Sequence, residues 1–295
     1  MSRCIVCFAV FFLSGCFLLP FPSLTLAQGR QPVRIGIIST MFLDFPKTTQ
    51  QKLLKMTTLL FQKEARLPCT CVLYQSPLAL AKQLQSGKTD LAVFAGYEFA
   101  WVEQQHNKIK PLVIARTVHE NPVAYLVVAN DSPISKFSDL AGRTVALPKR
   151  SRPHTRIYLE REAQKVRTGS QKAIKVVHPK NIEHGLDDIL RGKVTGTIVD
   201  RVSLADYKRV KPGCYRRLKI VQTSPKFPCT LIVYREGAMT SQQLADFRGW
   251  LLRAHTQRHG QSLMESLRLT AFQTIPGNYQ QVLAGIRKIY PASDQ

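Results

Sequence analysis

Acidic side chains are scarce in this 295-residue chain: 19 Asp and Glu stand against 42 Lys and Arg, a formal net charge of +23. Such a balance draws anions and acidic surfaces toward the protein. It does not make a nucleic-acid protein, because zinc-ligand spacing and an RNP pattern are both missing. A nucleophile elbow, a P-loop and a Ser-His-Asp order are missing too, so neither an enzyme nor a cofactor is expected. Among the four cysteines beyond Ala27, no pair has Cys-x-x-Cys spacing. His255 and His259 stand four apart, but no glutamate follows the first and Arg258 is a poor neighbour for a cation. No metal is expected there.

Long apolar runs are also lacking, with one exception. Arg3 precedes an uncharged, mostly apolar stretch from Cys4 to Leu26, and small residues lead to Ala27-Gln28. This describes a signal peptide cut after Ala27, and an exported or periplasmic protein. Two readings compete. Leu13-Ser14-Gly15-Cys16 fits a lipobox, which would anchor the chain through a lipidated Cys16. The run is also long enough to span a bilayer. Residues 17–26 are too apolar for the usual tether after a lipobox, which favours the cut after Ala27. That cut leaves 268 residues, 41 basic and 19 acidic, a net charge of +22. It is enough chain for two lobes of ordinary size. Cys69, Cys71, Cys214 and Cys229 remain, with three possible pairings that the sequence does not decide. A bond from Cys69 to Cys71, on one face of a strand, would be strained.

Strand and helix patterns alternate from residue 33 onward. Val33 to Ile38 is a β-branched run suited to a buried parallel strand. Leu53, Met56 and Leu60 give residues 48–65 a helical face. Strands are expected at Cys69 to Tyr74, Leu91 to Phe94, Leu112 to Arg116, Ile174 to His178, Leu218 to Gln222 and Thr230 to Tyr234. Helices are expected at Leu78 to Gln85, Tyr97 to Gln105, 154–167 and Tyr279 to Ile289. A further helix carries Leu244, Phe247 and Leu251, with Ser241 as its cap and Gly260 as its stop. A helix–glycine–strand cassette occurs twice, as ALAKQLQSGKTDLAVF from Ala79 and GLDDILRGKVTGTIVD from Gly185. Gly87 and Gly192 fall where a helix C-cap is needed. One cassette per lobe gives an α/β protein.

NDSPISKFSDLAGRTVAL, from Asn130 to Leu147, follows a strand at Tyr125 to Ala129. It holds a short helix that Ser138 can cap and Gly142 can end, then a strand at Thr144 to Leu147. With Gly36-Ile37-Ile38-Ser39-Thr40, GKTDLAVFAG from Gly87 and Thr223-Ser224-Pro225 ahead of Phe227-Pro228, it resembles the phosphonate-binding family of ABC transporter substrate-binding proteins. The resemblance runs in order through nearly the whole chain after residue 27. It implies a two-lobed type II periplasmic binding protein, each lobe a mostly parallel sheet flanked by helices, with a two-strand hinge. The first lobe would be residues 28–123 and 229–295, the second 124–228, with crossovers near Val123 and Pro228. It implies a monomer that closes on a phosphate, phosphite or phosphonate and delivers it to an ABC permease. The alternative is a sensory or scaffold protein signalling through a membrane partner. An enzyme on this scaffold, related to a thiamine-precursor synthase, lacks its cysteine-rich signature here.

Ligands of open α/β sheets bind beyond the carboxyl ends of the strands. That selects Thr40 to Phe45, Gly96 to Glu98, Arg150 to Thr155 and Asp200 to Ser203. Ser151, Arg152, His154 and Thr155 open a helix whose first turn suits an anion. Phe94 and Tyr97 could stack on a ligand, or belong to the core. Asp200 could accept from a ligand donor, or cap the next helix through Ser203. The resemblance adds Tyr125, near the family's crossover aromatic, and Glu183 with His184, near its His-acid pair. It also marks departures: Phe94 lacks the family's hydroxyl, and the anion loop is basic where the family has Ser and Thr.

Overall fold

The structure, a computed structural model, describes residues 32–42, 45–63, 68–118, 121–170 and 172–292. The signal-peptide, Cys16 and membrane-span readings lie outside the described residues, as do Leu43 and Asp44. Residues from Pro32 onward form one compact unit, which carries every element below.

That unit opens with β1 (Val33–Ile38), a 3-10 turn at Ser39–Phe42 and α1 (Lys47–Lys63). Next come β2 (Cys69–Tyr74), α2 (Pro77–Gln85), β3 (Leu91–Phe94), α3 (Gly96–Val102) and β4 (Ile109–Thr117). The chain crosses into β5 (Ala124–Ala129), β6 (Thr144–Ala146), α4 (Pro153–Ser170), β7 (Lys175–Val177) and α5 (Ile182–Leu190). It continues through β8 (Gly196–Asp200), α6 (Arg201–Val210), α7 (Pro212–Tyr215) and β9 (Leu218–Thr223). The return is β10 (Leu231–Arg235), α8 (Ser241–Arg253), α9 (Arg258–Ser266), β11 (Leu269–Gln273) and α10 (Tyr279–Ile289).

Two sheets result, ordered β11-β4-β10-β3-β1-β2 and β7-β6-β8-β5-β9. Without β11 the two orders coincide, β2-β1-β3-β10-β4 mapping onto β7-β6-β8-β5-β9. In each sheet the strand arriving from the other lobe, β10 or β5, runs antiparallel to the cassette strand beside it. Strands β1, β2 and β3, like β6, β7 and β8, pair in parallel, while β4, β9 and β11 join by antiparallel pairs. Parallel strands need helices on both faces, and the apolar runs in β3 and β8 meet that need. The fold is the two-lobed α/β architecture expected.

Each lobe has a core on either side of its sheet. Phe61 of α1 meets Trp250 of α8 edge-to-face at 5.4 Å on one face of the first sheet. Leu80, Leu84, Phe99 and Leu283 fill the other. Tyr158 and Leu159 of α4 cover one face of the second sheet, and Leu186 and Ile189 of α5 the opposite one. Leu84 is fully buried; truncating such a leucine to alanine costs about 2–5 kcal/mol. The cassette glycines adopt left-handed backbone at φ 77° and 70°, which lets each helix stop and turn straight into its strand.

Some local readings differ. Lys136, not Ser138, occupies the cap position of the short helix at Phe137–Leu140, and the Asp139 carboxylate accepts from the Ser135 and Lys136 amides. Gly142 is left-handed as expected. Thr240 rather than Ser241 caps α8, exchanging hydrogen bonds with Gln243. Gly260 lies inside α9, where a side chain would strike the Ala254 carbonyl. His255 sits in a 3-10 turn and His259 in α9, so the two do not share a helix face. Strand β11 was not foreseen; its register shifts between Leu269 and Ala271, which breaks the period of two. No disulfide joins the cysteines among the described residues.

Candidate functional site

The carboxyl ends of β1 and β3, the end of β4 and the start of β10 all reach one edge of the first sheet. There they meet the first turn of α4 from the second lobe. A cleft of about 180 Å³ lies between, lined by Thr40, Tyr97, Pro122, Arg152, His154 and Thr230, among others. Its first-lobe wall continues through Met41, Phe42, Phe45, Ala115, Ile232 and Phe272. This is the edge that the rule for open α/β sheets selects.

Four of the ten candidates line this cleft: Thr40, Tyr97, Arg152 and His154. Thr40 follows β1 in the 3-10 turn and donates its hydroxyl to Glu98 Oε1 at 2.8 Å. The other Glu98 oxygen accepts from the Ala95 amide at 3.2 Å. Burial pushes the Glu98 carboxyl up to about 7 against those two donors. Tyr97 is buried, its ring edge-on to Trp101 at 5.3 Å and to Phe227 at 5.7 Å.

His154 is only 5% exposed and packs 5.3 Å from Phe227 on the return crossover. Burial pushes its imidazole down to about 4, and the Arg152 charge lowers it further against the pull of Asp200 and the Val123 carbonyl. The ring is therefore neutral at pH 7. Nε2 is buried without a protein partner among the described residues, while the ring hydrogen-bonds Val123. With its proton on Nδ1, this histidine offers Nε2 as an acceptor.

Three more candidates stand beside the cleft without lining it. Asp200 caps α6, accepting from the Ser203 amide at 3.0 Å and its hydroxyl at 2.6 Å. Burial raises its carboxyl, but Arg152, His154 and the Ser203 donors outweigh that and hold it below the ordinary range. The Ser151 hydroxyl is buried and without a partner among the described residues. The donors of Thr155 are spent: its hydroxyl reaches the Arg152 carbonyl at 2.7 Å and its amide the same oxygen at 2.9 Å.

The last three candidates lie elsewhere. Phe94 is fully buried, 6.1 Å from Phe99 in the first-lobe core. The Tyr125 hydroxyl accepts from Arg201 Nε at 2.9 Å. Glu183 pairs with Lys211 at 2.7 Å in a separate depression between α5 and α6. Sequence reasoning missed Glu98 as a buried acid, because Ala95 in the cap position removes the usual Ser/Thr capping signal. It also missed Arg268, which lines the cleft with left-handed backbone at φ 55° and reaches Asp206 of α6, in the other lobe, at 3.1 Å. No sequence signal marks that residue.

Among the described residues there is no group of three or more His, Cys, Asp or Glu that could hold a metal, and no helix is long and apolar enough to cross a membrane. Two sheets of matching strand order with a cleft at their common edge define a two-lobed type II periplasmic binding protein. The family model described as "ABC transporter, phosphonate, periplasmic substrate-binding protein" matches residues 41–277, and the chain belongs to that family. Among solved structures, a Xanthomonas citri protein bound to chloride ion is similar at 16% identity, with a TM-score of 0.63, over 87% of this chain and 98% of that one. PhnD1 of Prochlorococcus marinus, in complex with methylphosphonate, is similar at 12% identity and a TM-score of 0.62, over 87% and 97%. A binding protein component of an ABC phosphonate transporter from Pseudomonas aeruginosa gives 14% and 0.60, over 87% and 86%. No curated protein matches.

Proposed function

We propose that this is an exported solute-binding protein that closes its lobes on a small anion of the phosphate, phosphite or phosphonate class and delivers it to an ABC permease. The observation that carries this is Arg152, placed in the cleft at the first turn of α4. The buried Ser151 hydroxyl lies beside it in sequence. A guanidinium at a helix start adds charged donors to the field of the helix amino terminus. The neutral Nε2 of His154 accepts a hydrogen bond from a monoprotonated oxyanion, a donor that phosphonate has at neutral pH and sulfate lacks. The crossovers near Val123 and Pro228 serve as the hinge, and residues 124–228 turn as the second lobe against 28–123 and 229–295. Hinge closure is an established response of such proteins.

Calorimetry with phosphate, phosphite, methylphosphonate and sulfate tests this reading. Charged hydrogen bonds contribute roughly 1.5–3 kcal/mol each, so Arg152→Ala weakens the bound anion at least about tenfold. Equal affinity in wild type and variant would remove Arg152 from the site. No binding of any of the four would favour a sensory role on the same lobes.

A further inference from the structure

The cleft is unequal on its two sides. Its second-lobe wall carries Arg152 and the unpartnered Nε2 of His154, whereas the first-lobe wall is built largely from carbon. Ile37 of β1, Ala115 of β4, Ile232 of β10, Phe61 of α1, Phe272 of β11 and Phe45 beyond the 3-10 turn form a recess. It runs from the anion corner onto the face of the first sheet that α1 covers. A bare oxyanion has no use for such a wall, since its oxygens want donors, and contact with carbon returns nothing for the water it loses.

We infer that the ligand is an amphiphilic organic anion whose charged head meets Arg152 and His154 and whose alkyl or aryl substituent fills the first-lobe recess. This rests on the anion reading above and narrows its substrate class. The recess supplies affinity through burial of carbon, and the polar corner fixes orientation, the usual division of labour in ligand pockets. One water takes at least about 10–15 Å³ of such space. A cleft of about 180 Å³ therefore admits far more than a phosphate ion. His154, which lines the same space, is nine-tenths buried and its Nε2 has no protein partner among the described residues, which places the head group at that corner.

The test is a chain-length series on the wild-type protein by calorimetry: phosphate, then methyl-, butyl-, hexyl- and phenylphosphonate, with hexanesulfonate and hexanoate as head-group controls. Each buried methylene is worth about fourfold in affinity, so hexylphosphonate should outbind methylphosphonate at least about a hundredfold. Ala115→Leu narrows the recess and should shrink that hexyl-to-methyl ratio at least tenfold, with circular dichroism checking that the variant is folded. Flat or falling affinity along the wild-type series overturns the inference whatever the variant does. Phosphate and methylphosphonate binding without length dependence overturns the recess and leaves the head-group reading standing. Length dependence with hexanoate or hexanesulfonate binding as tightly as hexylphosphonate supports the recess and overturns the phosphonate head group. Binding by none of them overturns the inference.

Discussion

The loop from β1 to α1 and the loop from β6 to α4 occupy equivalent places in two sheets of the same strand order, yet they do opposite work. The first places Met41, Phe42 and Phe45 on the cleft; the second places Arg152, Pro153 and His154 there. Topology decides where a loop lands, because both leave the carboxyl end of a parallel strand and enter a long helix. The side chains within it decide what the loop recognises. A duplicated scaffold thus presents one greasy and one basic jaw.

The buried titratable groups on the two sides differ in the same way, and that difference can be broken with the largest effect. Glu98 rises from 4.5 to about 7. Its stabilising contribution is complete below 4.5 and is lost as pH climbs through 7, because the unfolded chain ionises first. His154 falls from 6.5 to about 4. Its contribution is complete above 6.5 and is lost as pH drops through 4. Between pH 4.5 and 6.5 the two slopes oppose each other. Glu98→Gln keeps an acceptor for the Ala95 amide and removes one slope. Relative to wild type, it should lose roughly 3 kcal/mol of stability on acidification from pH 6.5 to 4.5. His154→Gln should show the reverse trend, of similar size. Denaturant unfolding at each pH decides this, and parallel profiles for all three proteins would show that neither group titrates with folding.

The cassette glycines sharpen the likeness of the lobes. A side chain at Gly192 meets open space, and one at Gly87 makes only ordinary contact with Arg235 at 3.5 Å. Each Gly→Ala should therefore cost the same left-handed penalty, about 1–2 kcal/mol, in urea unfolding. A difference of more than about 1 kcal/mol between them would mean that one lobe tolerates the strain by shifting, and that the turns are not equivalent.

The smallest effect is expected where the jaws touch. Arg268 and Asp206 are half exposed, and solvent screening leaves such a pair at most about 1 kcal/mol. Asp206→Asn should change ligand affinity less than about fivefold and should slightly enlarge the ligand-free radius of gyration in X-ray scattering. A tenfold or greater change would make this pair a principal latch on closure.

Much of this architecture was legible in the chain. Val33 to Ile38, Cys69 to Tyr74, Leu91 to Phe94 and Tyr279 to Ile289 occupy the elements expected of them, because apolar runs bounded by turn residues carry their own limits. The two cassettes were visible because each needs a left-handed residue at one place. What stayed hidden depends on neighbours distant in sequence. Phe94 reads equally as a stacking platform or as core, and only the packing of Phe99 and the helices decides. Glu98 becomes a buried acid because Thr40, 58 residues earlier, comes to meet it. The recess draws on α1, β4 and β11, and no local pattern joins those segments.

The position of β10 has a consequence for how the molecule is assembled. β3 and β4 do not pair with each other; β10 lies between them and bonds to both. Until residue 235 is available the first sheet is two fragments with raw edges facing a gap one strand wide. The second sheet needs nothing outside residues 124–223. The lobe begun first is therefore finished last, after a loop of more than a hundred residues has closed, and distant pairings of that kind form slowly. The inner lobe can serve as the template on which the outer one is zipped shut, and a chain interrupted before Arg235 would expose an unmated strand edge as a site for aggregation.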